Sequence, residues 1–264
     1  MRVGTSNLIR HPFLVATLAA GLVGGACQLD KVHEPQLEGP SETGLSAQMT
    51  AFPDVLNADL AFIDGVYRAL LGRDADPAGL ANWLDALLRG APRSAVAQGV
   101  WNSPEHRGLE VDHFYLDLLH RPADAAGRAG WVSALLAGAS EADVQTGILS
   151  SPEYYAAHPD NAAFVEGLYH DLLGRDADPS GLASALARLQ MGVSQLRVIG
   201  GILTSPEALG QVVDGYYEAF LRRQADASGL QSFLGQLLAG RARTTDVAVQ
   251  ILASPEFFAG AART

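Results

Sequence analysis

A unit of about 50 residues is written four times in this chain, and that repetition constrains the fold more than any composition figure does. The copies open at Tyr67 (YRALLGRDADPAGLANW), Tyr115 (YLDLLHRPADAAGRAGW), Tyr169 (YHDLLGRDADPSGLASAL) and Tyr217 (YEAFLRRQADASGLQSF), and each runs on to a Ser-Pro-Glu triplet, at Ser103, Ser151, Ser205 and Ser254. The tyrosines lie 48, 54 and 48 residues apart, so those of copies one and two map onto those of copies three and four with a single shift of 102. A two-copy unit duplicated later accounts for that spacing. Arrays of this kind stack each unit on its neighbours, so the last copy, with no neighbour beyond it, is expected to have a free end.

Within a copy the apolar spacing is helical. In copy one Leu60, Ile63, Tyr67 and Leu70 share a face over 58–71, and Leu80, Trp83, Leu84 and Leu87 share another after the turn GRDADP. Asp76 followed by Pro77 is a strong helix opening, and Gly90, like Gly138, Gly192 and Gly240 later, is a strong stop. A third helix carries Val96 and Val100, with Val144 and Ile148, Val198 and Ile202, Val247 and Ile251 as counterparts; Ser140 and Asp143 form a capping box for the second of these. Ser-Pro-Glu restarts the chain as cap, proline and first-turn acid. Each copy therefore reads as about three helices and a short fourth, and the fold class as all-α, a tandem helical repeat. Glycines inside these helices, Gly65, Gly167 and Gly215 before the tyrosines and Gly99, Gly147 and Gly201 after the valines, each cost about 1 kcal/mol relative to alanine and predict close backbone approach between helices. His113 and Gln250 are the exceptions. Gln250 sits in the last copy, and His113 predicts a helix that stands off from its neighbour.

Ahead of the repeats, Arg2 and Arg10 precede an apolar run from Phe13 to Val23 that is shorter than the roughly 20 residues of a spanning helix. Residues 1–27 therefore read as an export signal. The segment VGGAC resembles a bacterial lipobox, which would make Cys27, the chain's one cysteine, a lipidated first residue; cleavage after Ala26 is the alternative. Gln28 resembles the sorting pattern of outer-membrane lipoproteins, so the cell envelope is the expected location. Residues 28–57, rich in Pro, Glu, Ser and Gly, read as a flexible tether. The remainder divides into repeat pairs at 58–158 and 159–264. Without further cysteines the body must fold without disulfides. Setting Arg2 and Arg10 aside, 16 Lys and Arg face 29 Asp and Glu, a balance that repels nucleic acid and anionic headgroups, so membrane contact is expected only through the lipid.

Tyr, then Leu-Leu-Gly-Arg, then Asp-Pro with Gly-Leu and a later Ser-Pro-Glu together resemble the bacterial family catalogued as domain of unknown function 4214. The likeness is specific in copies one and three; in copies two and four Ala125 and Ala227 replace the proline, and Arg128 replaces the leucine after the copy-two glycine. The resemblance implies a helical module of exported or surface-associated proteins, distantly similar to the phycobilisome linker domain, and no agreed enzymatic activity.

The signature residues are Tyr67, Arg73, Asp76 and Gly79; Tyr115, Arg121, Asp124 and Gly127; Tyr169, Arg175, Asp178 and Gly181; and Tyr217, Arg223, Asp226 and Gly229. A catalytic group is seldom needed four times in one chain, so each Asp is expected to cap the second helix and each Arg to pair with a nearby carboxylate or cover the end of the first. Glu105, Glu153, Glu207 and Glu256 are explained by their helix-start positions. Asp74 with Asp76 and Asp176 with Asp178 resemble calcium loops only superficially, because the further oxygen ligands such a loop needs are not at the right spacing. His106, His113 and His120, seven apart, are too far along a helix to share one metal and read as solvated. Tyr67, Trp83, Trp101, Tyr115, Trp131, Tyr154, Tyr155, Phe233 and Phe257 read as core, with a sugar-binding strip as the other use of such residues. No zinc-protease pair, phosphate loop or nucleophile elbow is present. The expectation is a non-enzymatic protein with no cofactor that binds a protein partner, with glycan binding or glycan processing as the alternative.

Overall fold

The computed structural model describes residues 53–261, and the repeat forms fourteen helices with no strand among the described residues. Copy one gives α1 (Pro53–Leu71), α2 (Pro77–Leu88) and α3 (Arg93–Trp101). Copy two gives α4 (Pro104–Leu119), α5 (Ala125–Leu136), α6 (Glu141–Leu149) and α7 (Pro152–Ala157). Copy three gives α8 (Asn161–Leu173), α9 (Pro179–Gln190) and α10 (Gln195–Leu203), and copy four gives α11 (Pro206–Leu221), α12 (Ala227–Leu238), α13 (Thr244–Leu252) and α14 (Pro255–Ala261). α1 opens at Pro53, inside the stretch read as tether, because Leu56 already has a core to join. Cys27 and the rest of residues 1–52 lie outside the described residues.

The caps follow from composition. Asp76, Asp124, Asp178 and Asp226 each accept a hydrogen bond from the backbone N–H of the glycine three residues on, at 2.8–3.0 Å. Ser140 and Asp143 close their capping box. Gly90, Gly138, Gly192 and Gly240 all adopt positive φ at the helix stops. The short fourth helix is the exception. After copies one and three, the chain that starts at Ser-Pro-Glu continues unbroken through the next signature tyrosine, making α4 and α11 sixteen residues long. After copy two it breaks at His158, and α8 starts afresh behind an Asp160 cap, which accounts for the longer 54-residue interval.

Packing does not follow chain order. One core joins copy one to copy four: Phe62, Val66, Val96 and Trp101 pack with Val213, Tyr216, Val247 and Leu252. The other joins copies two and three through Val111, Ile148, Phe164 and Val198. The cores therefore cut across the stretches 58–158 and 159–264. Copy four has no free end, since α14 packs on α1 and α13 on α3, with Phe62 in ring contact with Phe257 and Phe258. Closure buries apolar faces at both ends that an open stack would leave to water.

The internal glycines also differ from expectation. Gly99 and Gly147 admit indole rings rather than a neighbouring backbone: a Cβ there would lie 2.3 Å from the Trp83 ring and 2.2 Å from the Trp131 ring. Copy three has Ala185 in the place of Trp83, so Gly201 meets only Arg188, at 3.5 Å. A Cβ on Gly65 would come 2.8 Å from Ala261 Cβ, where α1 meets α14. His113 and its counterpart Gly215 both line a cavity between α4 and α11, so this helix does stand off there.

Candidate functional site, a buried charge cluster where the copies meet

The signature residues assemble into one clasp per copy. The arginine Nε and Nη2 donate to both oxygens of the Ser-Pro-Glu glutamate, in Arg73–Glu105 (2.8 and 2.7 Å), Arg121–Glu153 (2.5 and 2.6 Å), Arg175–Glu207 (2.6 and 2.7 Å) and Arg223–Glu256 (2.6 and 2.7 Å). The remaining Nη1 donates to the carbonyl of the next residue, Asp74, Pro122, Asp176 or Gln224. The guanidinium lies 4.9–5.4 Å from the ring centre of Tyr67, Tyr115, Tyr169 or Tyr217. Hydrogen bonds from the arginines hold Glu153, Glu207 and Glu256 below the ordinary carboxylate range. A Cβ on Gly127, Gly181 or Gly229 would strike the tyrosine hydroxyl at 2.2–2.5 Å, so the glycine is required by the ring beside it. Tyrosine, arginine, aspartate, glycine and glutamate thus fix the turn after the first helix. The glutamates are arginine partners as well as helix-start residues. Their recurrence 32 or 33 residues after each arginine carried that pairing in the sequence.

A second arginine site occurs once. Arg107, in the first turn of α4, is 4 % exposed. Its Nη1 donates to Glu110 Oε2 and to Glu141 Oε1, both at 2.7 Å, and its Nη2 to Asn102 Oδ1 at 2.9 Å. Glu141, on α6, also accepts from Thr244 (3.0 Å) and Thr245 (2.7 Å) at the start of α13. The cluster therefore ties copies one, two and four together at the seam between the two cores. Burial pushes Glu110 up to about 7 against the pull of Arg107. Glu141 is also desolvated, yet its bonds from Thr245 and Arg107 leave it below the ordinary value. None of this is repeated: the counterparts in the second pair of copies are Leu209 for Arg107, Val212 for Glu110 and Thr244 for Glu141. Sequence reading built on what recurs passed over these residues, and the signal available was their departure from the pattern.

The histidines divide. His106 is fully buried rather than solvated, with Nδ1 2.9 Å from Trp101 O, and burial pushes its pKa down to about 3. His113 is half-buried with Nδ1 on Leu109 O, and His120 is exposed at the C-cap of α4 with φ 53°. Asp76 and Asp178 spend an oxygen on helix caps, and Asp74 pairs with Arg68. Among the described residues no three His, Cys, Asp or Glu converge to hold a metal ion. Tyr67, Trp83, Trp101, Tyr115, Tyr154 and Phe257 are buried, and Trp131, Tyr155 and Phe233 pack partly buried against the cores.

Four clasped copies closed into two shared cores define an all-α tandem-repeat protein. The family described as Domain of unknown function (DUF4214) matches at residues 51–109, 111–158, 153–212 and 210–260, and the chain belongs to that family. No curated protein and no solved structure matches it.

Proposed function

We propose that the protein is a non-enzymatic interaction module of the bacterial cell envelope, exported by residues 1–27 and held to a membrane by lipid on Cys27. The observation that carries the reading is the clasp: each signature arginine, aspartate and glutamate is engaged in fixing the turn after a signature helix against the helix that opens at Ser-Pro-Glu, so the repeated polar residues work as scaffold. The Cys27 context and the acidic balance of the chain support anchoring by lipid rather than by a charged surface.

Metabolic labelling with an alkyne fatty acid, in cells expressing the wild type or Cys27→Ala, tests the anchor. Label on the wild type alone supports it, whereas an unlabelled wild type means ordinary cleavage after Ala26. Crosslinking in the same cells tests the module. One protein recovered in near-stoichiometric amount is the expected result, and glycan fragments with no consistent protein would replace the reading by a glycan-binding one.

A further inference from the structure

We propose that the cavity between α4 and α11 binds an aliphatic polyamine, with Glu110 as the buried anchor for one of its ammonium groups. This goes beyond the anchoring and scaffold reading and does not depend on it.

The cavity has a volume of about 560 Å³, within the ordinary range for small-molecule sites. Its walls carry six carboxylates, Glu110, Asp117, Glu141, Asp171, Asp214 and Glu218, and no lysine or arginine. Between them lie methyl-rich and aromatic surfaces from Phe114, Leu172, Leu209 and Val212. Low-dielectric walls of one sign concentrate the opposite charge. The acids do not converge in threes at metal-binding distance among the described residues. Dispersed anions separated by apolar wall suit an extended cation, in which nitrogens alternate with methylene segments, better than a compact ion.

The second observation is the charge count in the buried cluster. One guanidinium, Arg107, serves two carboxylates, Glu110 and Glu141. Glu141 has two threonine hydroxyls besides. Glu110 has Arg107 on Oε2 alone; its side chain is 1 % exposed, it lines the cavity, and its Oε1 has no hydrogen-bond partner. A buried carboxylate oxygen without a donor is costly, and with Glu110 ionised the cluster is one positive charge short of neutrality. An ammonium group supplies both the donor and the charge. Asp171 is spoken for by Tyr154, whose hydroxyl donates at 3.0 Å, and by His170. Asp214, on α11, offers a second ammonium position on the same wall.

Isothermal titration of the full-length chain with spermidine in 150 mM salt tests the proposal, with 1,8-octanediol as a neutral chain of similar length. One saturable site is expected, weakened at least tenfold by Glu110→Gln and severalfold by Asp214→Asn, with no binding of the diol. Because Glu110 is buried, its amide leaves the surface charge that attracts polycations unspecifically unchanged. Spermidine binding that is multisite and indifferent to Glu110→Gln overturns the proposal, as does equal binding of the diol or no binding at all. Should Glu110→Gln fail to fold, Asp214→Asn, on the less buried wall, carries the test, and unchanged affinity in that variant overturns the proposal.

Discussion

Two arginine–glutamate sites in this protein use the same chemistry to opposite ends. The clasp arginines are 37–38 % exposed, each facing one glutamate in fork geometry, and the arrangement is stamped into all four copies. Arg107 is buried, divides one guanidinium between two glutamates, and occurs once. An exposed pair contributes at most about 1 kcal/mol because water screens it and because two long side chains must be ordered. A buried pair contributes little net relative to an apolar replacement, but removing one partner strands the other. The clasps thus set local geometry and can be lost singly, whereas the Arg107 cluster makes the junction of the copies all or none.

The largest test of that contrast is Arg107→Met, which leaves Glu110 and Glu141 buried without a cation. It should cost about 3–5 kcal/mol in urea unfolding, and a loss under 1 kcal/mol would place the cluster with the clasps. Next in size is the pH response of the same cluster. His106, held neutral with a pKa of about 3 against an ordinary 6.5, adds stability as pH rises between those values. Glu110, raised to about 7 from 4.5, removes stability as pH rises between its own two values. Between pH 4.5 and 6.5 the two slopes oppose. The wild type should therefore be nearly flat there, Glu110→Gln should gain about 1.4 kcal/mol per pH unit, and His106→Asn should lose about as much, read as unfolding midpoints across that window. Parallel curves for all three proteins would break the argument.

The glycines sharpen the comparison between copies. Gly99→Ala must displace the Trp83 ring and should cost about 1–3 kcal/mol, while Gly201→Ala, whose Cβ would meet only the Arg188 side chain at ordinary contact distance, should stabilise by about 1 kcal/mol through helix propensity. Thermal melts of the two variants moving in the same direction would contradict the indole explanation. Smallest of all, Arg73→Ala should cost no more than about 1 kcal/mol, and that loss should shrink in 1 M salt.

Most of the secondary structure was legible because it is locally encoded. Asp76 before Pro77, Ser103 before Pro104 and Gly90 after Leu88 act within four residues of themselves, and the chain reads them the same way wherever it folds. The left-handed ends were legible only where glycine marks them: Gly72 and Gly174 have φ 66° and 68°, but His120 and Arg222 take the same conformation without that mark. What escaped were partners distant in sequence. Nothing near Gln250 says that α13 lies against α3, and nothing near Trp83 says that its ring needs Gly99 to be bare. The buried cluster was hidden for a different reason, since a search tuned to recurrence treats Arg107, Glu110 and Glu141 as noise.

The docking of α14 on α1 also dictates an order of events during synthesis. Gly65 and Ala261 touch across nearly the whole length of the described chain, so the first copy emerges long before the surface that completes its core exists. Copies two and three, contiguous in the chain, can settle first, while copy one waits for the last helix. A polypeptide whose first core is completed only by a helix made about 200 residues later keeps that region open until synthesis has passed it. A ribosome-stalled chain ending before Thr244 should accordingly protect residues of copies two and three from protease and leave copy one open to cleavage.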